Sequence, residues 1–490
     1  MAKYRRAATI AYAGLPMPRL VVTTPMPARR EALFAWHERP GAFDRLLPPW
    51  VRGEVLHASG GIRDGGRLTF LVRRGPTRLT WDALHSGYQH GHAFADEQVR
   101  GPFARWRHVH RMLDARDPAA SLLRDEVDFA VPGGRVGWAL ARHVLRPDLE
   151  RMFVFRHLRT RTDLALLGAF ERDLRAGRAA RVAISGVGGG IGGALASLLR
   201  TGGHEVVRLV RRRAGEGEAM LAVGGGQDQI DKAALEGLDA IVHLGGEPVG
   251  GGRWTDEKAH AVRASRVEST RALAHAVAEL ARPPRVLIIA SGVGLYGDRG
   301  EDELSESAGI GSGFFAEVAR DWEGAAAPAR EAGVRVVHLR LGVVLAARGG
   351  VVGAARGLFA LGLGVCPGRG RQWWAWVGLD DVLGAILHTI VSSDLSGGVN
   401  VVAPECVRAL EFCRTFAGVF DRPLAGRFPA WALRPLAGER SEAALWSTRA
   451  VPEKLRASGY RFIEPELEGA LRRELGLTRA ADSATEIEWS

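Results

Sequence analysis

The segment RVAISGVGGGIGG, residues 181–193, constrains this chain more than any other. A short apolar run (Val182, Ala183, Ile184) enters a glycine cluster. An Ala/Leu-rich stretch, ALASLLRT, and a second apolar run, HEVVRLV, come next. That order reads as strand, tight turn, helix, strand. The glycines fall as Gly186-x-x-Gly189-x-x-Gly192, and a strand that passes into a helix through glycines leaves backbone N–H groups free at the helix N-terminus. A pyrophosphate can sit there with no side chain in its way. Glycine is abundant throughout the chain, so the motif gains its weight from the apolar run before it and the helix after it.

The second strand ends in Arg211, Arg212 and Arg213, with no acidic residue before Glu216. A free ribose 2′-hydroxyl usually meets a carboxylate at this place and a 2′-phosphate meets arginine, which favours NADP, with NAD the alternative. Further on, ALEGLDAIVHLGG brings an apolar strand to a glycine pair. The candidate dinucleotide contacts are Gly186, Gly189, Ile191, Gly192, Arg211, Arg212, Leu244, Gly245 and Gly246. PPRVLIIASGVGLYGDRG then delivers Ser291 and Tyr296 to the C-terminal end of a buried-type strand, the edge at which open parallel sheets bind ligands.

Several segments here resemble the sugar-nucleotide-epimerase-like branch of the extended short-chain dehydrogenase/reductase superfamily, in the subgroup labelled epimerase family proteins. They are SGVGGGIGG, HLGGEPVGGGRWT, RASRVESTRAL, ASGVGLYGDRG, RDWEGAA, LRLGVVLAARGG and RQWWAWVGLDDV. The likeness covers residues 181 to about 475. It implies hydride transfer at a carbonyl or alcohol carbon of an unidentified substrate. It also implies a Ser that orients the carbonyl, a Tyr acid/base, and a Lys four residues after that Tyr. Ser291 fills the first place. By register with Trp322 and Glu323, Phe315 stands at the Tyr place and Ala319 at the Lys place, and neither can move a proton. Tyr296, five residues after Ser291, is the substitute acid expected from sequence, with Glu317 or Arg320 as assistants. A non-catalytic NADP-binding sensor is the alternative. In RQWWAWVGLDDV, Gly378 replaces the usual His, and Asp380 and Asp381 suit the first turn of a helix.

Residues 19–160 carry no phosphate loop. A strand, RLVVTT, and a helix-like piece, ARREALFAWHERP, precede strand-like runs VRGEVLHA, RLTFLVRR, RLTWDALH and RWRHVHRMLDA. A long Arg-rich amphipathic stretch then contains Pro147, where a kink or break is expected. Helix, hairpin strands and one long helix describe an antiparallel sheet gripping a helix. HAFADEQVRGPFARWRHVHRM resembles START-like domains of the polyketide cyclase/dehydrase type, which implies an apolar cavity for lipid-, polyketide- or quinone-like molecules. His85, His90, His92, His108 and His110 cluster here, and alternation points His108 and His110 to one sheet face. A metal site needs a third convergent ligand and a second shell. Neither is legible in the sequence, so no metal is assigned. Trp36, Trp50, Trp81 and Trp106 are expected in the core.

The expected organisation is a tail (1–18), an α+β helix-grip, START-like domain (19–160), a linker (161–179), an α/β Rossmann-type doubly wound parallel sheet (180–400), a small C-terminal domain (401–477) and a frayed tail (478–490). At 490 residues the chain exceeds one ordinary core. The net charge of +11 comes from scattered arginines, with lysine only at Lys3, Lys232, Lys258 and Lys454, so a nucleic-acid partner is not expected. No apolar run spans a bilayer. Cys366, Cys406 and Cys413 lack metal-type or disulfide-framework spacing, in keeping with a reducing cytoplasm.

Overall fold

A computed structural model describes residues 18–74, 77–174, 178–211, 214–222 and 229–490. Two units emerge. One joins residues up to Gly168 with Gly476–Ser490, and the other runs from Ala169 to Leu475.

The first unit is an antiparallel sheet of β1 (Arg19–Met26), β2 (Arg52–Ser59), β3 (Arg67–Arg74), β4 (Thr77–Gln89), β5 (Ala93–Arg100), β6 (Arg105–Asp114), β7 (Ser121–Ala130) and a terminal strand, Glu486–Trp489. The spatial order is β2-β3-β4-β5-β6-β7-β1-terminal strand. A long helix, Gly134–Asp173, packs Leu149 and Phe153 against Leu20, Val22, Trp106, Val127 and Phe129 of the sheet. Trp36 and Trp106 are buried as expected, whereas Trp50 and Trp81 are half-buried.

Three features differ from the sequence reading. The helix continues across Pro147, and residues 161–173, expected in a linker, are its last turns. Proline removes one helical hydrogen bond, and the packed flank outweighs that loss: Leu149, Phe153 and Leu158 are buried, and Asp163 is held bidentately by the buried Arg45 at 2.5 and 2.8 Å. β7 was hidden because Asp125 and Glu126 interrupt its apolar run. Leu123, Asp125, Val127 and Phe129 nevertheless alternate onto one face, and all four are buried. Residues 486–489, expected to fray, pair with β1 in the register Leu20↔Trp489 to Thr23↔Glu486. Ile487 and Trp489 alternate with glutamates, a period-2 signal, and both pack against the core of the sheet.

The second unit is a doubly wound sheet. Its strands are β8 (Arg181–Ser185), β9 (Glu205–Val210), β10 (Glu218–Ala222), β11 (Gln229–Ile230), β12 (Ala240–His243), β13 (Val286–Gly292) and two further strands, Arg335–Leu341 and Gly397–Val401. The order is β11-β10-β9-β8-β12-β13 followed by those two, and every pair is parallel except β10–β11. Fully buried Val, Ile, Leu and Ala fill β8, β12 and β13, as sheets covered on both faces require. The order reverses at β8, with β9 on one side and β12 on the other, which opens a crevice at the strand C-termini. Residues 401–475 belong to this same unit. Among the described residues no helix is long and apolar enough to cross a membrane.

Candidate dinucleotide and substrate site

The crevice is shaped by glycines. Gly186 sits at φ +73°, a backbone region that favours glycine, and a Cβ there would stand 2.8 Å from the Leu244 carbonyl oxygen and 3.0 Å from the Gly245 nitrogen. Gly189 donates its N–H to the Gly186 carbonyl (2.9 Å) and caps the helix Gly190–Thr201, which has no side-chain cap. The first N–H groups of that helix therefore face the crevice without a protein side chain at the N-cap. Gly192 lies one turn in, and a methyl there would be driven into the Gly186 carbonyl and come within 3.1 Å of the Val187 nitrogen. Gly188 has nothing within 4 Å of its missing Cβ. Ile191 is half-buried on the first turn.

Two residues that sequence reading missed lock this turn to β12. Ser185 and His243 are direct neighbours in the β8–β12 register. The Ser185 hydroxyl accepts from the N–H groups of Leu244 and Gly245 (3.0 Å each) and lies 2.8 Å from His243 Nδ1. Leu244 and Gly245 thus spend these N–H groups within the protein. Gly246 makes room for Arg266, whose Nη1 donates to the carbonyls of Glu247 and Val262. The signal for Ser185 was available: a hydroxyl at the last position of an apolar strand, next to the glycine turn.

Burial holds the His243 imidazole down at about 4, so it stays neutral in the folded chain. An unfolded histidine titrates near 6.5. Between these values the unfolded state binds more protons, so the contribution of His243 is fully present above about pH 6.5 and is lost as pH falls toward 4. At pH 5 the loss is about 2 kcal/mol. We predict that His243→Asn flattens the fall in urea stability between pH 7 and pH 5 by about that amount. An unaltered slope would refute the assignment.

Of the basic strand end, Arg211 is exposed; the Glu247 carboxyl is lowered below the usual range by the hydrogen bond and charge of Lys258 and, to a lesser degree, by the charges of Arg211 and Arg266. Arg212 lies outside the described residues.

Ser291, Arg340 and Asn400 occupy one row across β13 and its two neighbouring strands. The Ser291 hydroxyl donates to Glu323 Oε1 (2.8 Å), and Arg340 clamps both Glu323 oxygens at 3.0 Å. Arg340 Nη1 also donates to the Tyr296 hydroxyl (2.9 Å), which donates to Asn400 Oδ1 (2.7 Å). Tyr296 is fully buried, and burial raises its phenol above the ordinary value. Tyr296, expected from sequence as the substitute acid, thus has no exposed surface, and its hydroxyl is engaged on both sides, by Arg340 and Asn400. Glu317 pairs with Arg263 and Arg320 with Asp321, so neither expected assistant points at it.

Phe315 and Ala319 lie on the helix Phe314–Gly324, Ala319 buried and Phe315 packed in edge and tilted contact with Phe314 and Trp254. Gly294, two residues past β13, approaches Phe315 so closely that its own Cβ would lie 3.3 Å from that of Phe315. At the N-terminus of this helix stands Glu442. Burial raises its carboxyl, opposed by the backbone N–H groups of Phe315 and Phe314. Asp380 pairs with Arg473, and Asp381 accepts from Ile463 N–H (2.7 Å), Glu464 N–H and the Tyr460 hydroxyl. The first turn of the helix Leu379–Val391 thereby anchors the C-terminal segment. Gly378 is the N-cap of that helix.

Comparison with known proteins agrees with this geometry. Residues 182–402 match the NAD dependent epimerase/dehydratase family, and residues 428–474 match a domain of unknown function, DUF1731. An epimerase family protein of Mycobacterium leprae is 38% identical over 289 residues, 59% of this chain and 93% of that protein. The crystal structure of a nucleoside-diphosphate sugar epimerase from Corynebacterium glutamicum is 32% identical, covers 94% of this chain and 91% of its own, and superposes with a TM-score of 0.77. Human epimerase family protein SDR39U1, solved with NADPH, is 31% identical over 60% of this chain and 99% of its own, at a TM-score of 0.55. With a glycine-shaped crevice in a doubly wound sheet, and with relatives matched over nearly their full length, the chain belongs to the epimerase family proteins of the NAD-dependent epimerase/dehydratase group.

Proposed function

We propose that the unit 169–475 is an NADP-dependent oxidoreductase or epimerase-like enzyme acting on a carbonyl or alcohol carbon. The observation that carries this reading is the cradle at Gly186–Gly192, closed against Leu244 and Gly245 and opening on an uncapped helix N-terminus. Side chains at Gly186 or Gly192 would fill that space, so the residues fit a pyrophosphate. Arg211 and Arg212 favour a 2′-phosphate, and the human relative was solved with NADPH. When bound, the dinucleotide supplies or accepts the hydride. Ser291 orients the substrate oxygen by turning its hydroxyl proton to it from Glu323, its partner in this structure. Glu442, whose raised carboxyl meets the backbone N–H groups of Phe315 and Phe314, is the group we assign to supply the proton that a Tyr at that place would otherwise give.

For the first unit we propose a START-like ligand-holding role, supported by one long helix over an antiparallel sheet. The ligand class, lipid-, polyketide- or quinone-like molecules, rests on the resemblance of residues 92–112 to such domains.

Fluorescence titration is expected to show micromolar NADPH binding and roughly tenfold weaker NADH binding, a difference of about 1.4 kcal/mol. Against a panel of carbonyl compounds, Glu442→Gln is expected to cut NADPH oxidation about 100-fold while leaving NADPH affinity within twofold. An unchanged rate would remove Glu442 from the chemistry. A second reading, a sensor that binds without turnover, draws on Phe315 and Ala319. Tight NADPH binding with no oxidation across the panel would favour it.

A further inference from the structure

The first unit buries a cluster of imidazoles and carboxylates that the chemistry of the second unit does not use. His108 and His110 alternate on β6 and project to one face, with ring centroids 3.9 Å apart. Asp96 of β5 is paired directly with His108 in the strand register, and Asp125 of β7 directly with His110. His108, His110 and Asp125 are each less than a tenth exposed.

The two imidazoles each divide their nitrogens between two carboxylates. His108 Nδ1 and His110 Nε2 converge on one oxygen of Asp96, at 3.1 and 4.0 Å. Ligand atoms from all three residues lie within 4.8 Å of one another. Tetrahedral ligands bonded at about 2.0–2.1 Å stand about 3.4 Å apart, a separation the two distances bracket. The opposite nitrogens, His108 Nε2 and His110 Nδ1, face Asp125 at 3.5 and 2.9 Å. Asp125 is itself backed by His157 Nε2 (3.1 Å), and His157 Nδ1 lies 2.9 Å from Thr24 Oγ1. Metal-bound histidines characteristically turn their second nitrogen to a carboxylate, which fixes the ring.

His108 Nε2, His110 Nδ1 and Asp125 Oδ1 are buried without an aligned hydrogen bond, although each nitrogen lies within 3.5 Å of an Asp125 oxygen, so a small turn of each ring onto a metal would align them. Phe94 stacks on His110 with centroids 4.3 Å apart and limits its rotation. We propose that Asp96, His108 and His110 bind one divalent transition metal ion of the Zn²⁺ type, with Asp125 as the carboxylate that orients both histidines. Two imidazoles and one carboxylate suit zinc, and three protein ligands leave a fourth position for water or for an oxygen of a small-molecule ligand.

The test uses the full-length protein, stripped with a chelator and titrated with Co²⁺ as a spectroscopic stand-in and with Zn²⁺ by calorimetry. One equivalent should bind, with the intense visible d–d absorption of a four- or five-coordinate site and no thiolate charge-transfer band. His110→Gln and Asp96→Asn should each weaken binding at least 100-fold with unchanged circular dichroism, and Asp125→Asn should weaken it 10- to 100-fold. His92→Gln, on the exposed side of the unit, should have no effect. The site is overturned if the wild-type protein takes up no Co²⁺ at millimolar concentration, if the band is thiolate in origin, or if His110→Gln binds as wild type does. Should the variants fail to fold, the wild-type spectrum alone decides.

Discussion

Gly192→Ala is expected to weaken dinucleotide binding at least 100-fold and to destabilise the second unit by about 2 kcal/mol. Helix propensity argues the other way, since alanine in a helix interior is favoured over glycine by about 1 kcal/mol. Sterics decide the sign. The added methyl would sit 2.7 Å from the Gly186 carbonyl carbon, and both groups are backbone, so no side chain can rotate away. Gly186 cannot retreat either, because its own α-carbon is pressed on Leu244 and Gly245, which Ser185 holds. The turn must open, and the helix N-terminus loses its aim. Gly188→Ala is the matched control: its methyl meets nothing within 4 Å, and binding within threefold of wild type is expected. NADPH titration and urea unfolding of both variants check the pair, and near-normal binding by Gly192→Ala would sink the argument.

Arg340→Met should be the most destabilising single change in the second unit, at about 3–5 kcal/mol. Arg340 is about nine-tenths buried and neutralises Glu323 through two bonds, while also donating to Tyr296 and to the Glu306 carbonyl. Removing it strands a carboxylate away from water. Removing the carboxylate as well should recover much of the loss, so Arg340→Met combined with Glu323→Leu is expected to be more stable than Arg340→Met alone. Tyr296→Phe should cost about 1–3 kcal/mol, because Asn400 and Arg340 each lose a partner. Thermal denaturation across this set tests it. With Glu323→Leu as the fourth corner of the cycle, strictly additive losses would show that the pair is not coupled.

The nucleotide crevice was legible because its demands are local. A strand, a turn that only glycine can make and a helix all fall within about twenty residues, and each leaves its mark in sequence. The row Ser291–Arg340–Asn400 was not, since its members come from three strands whose adjacency is set by crossovers. The burial of Tyr296 was hidden for the same reason: five residues from Ser291 along the chain, it is held in the core by residues of two other strands. Phe315 and Ala319 were placed by register and do share the helix that faces Gly294, whereas Glu442 reaches that helix from more than a hundred residues downstream. In the first unit, the period-2 signal found His108 and His110. The partners that give them meaning sit on β5 and β7, and β7 was disguised by its own buried Asp125.

The pairing of Glu486–Trp489 with β1 has a consequence for biosynthesis. On the ribosome, β1 is made before the second unit, and its last neighbour, Glu486–Trp489, only after it. The edge of β1 therefore stays open while some 460 residues are added, exposing unpaired backbone and the apolar side chains Leu20 and Val22. The second unit lies between the two parts of the first in sequence, and the last strand of its sheet, Gly397–Val401, is made well before Glu486–Trp489. A chain ending just short of residue 486 is thus expected to carry the nucleotide-binding sheet complete and the first unit with an open, aggregation-prone edge.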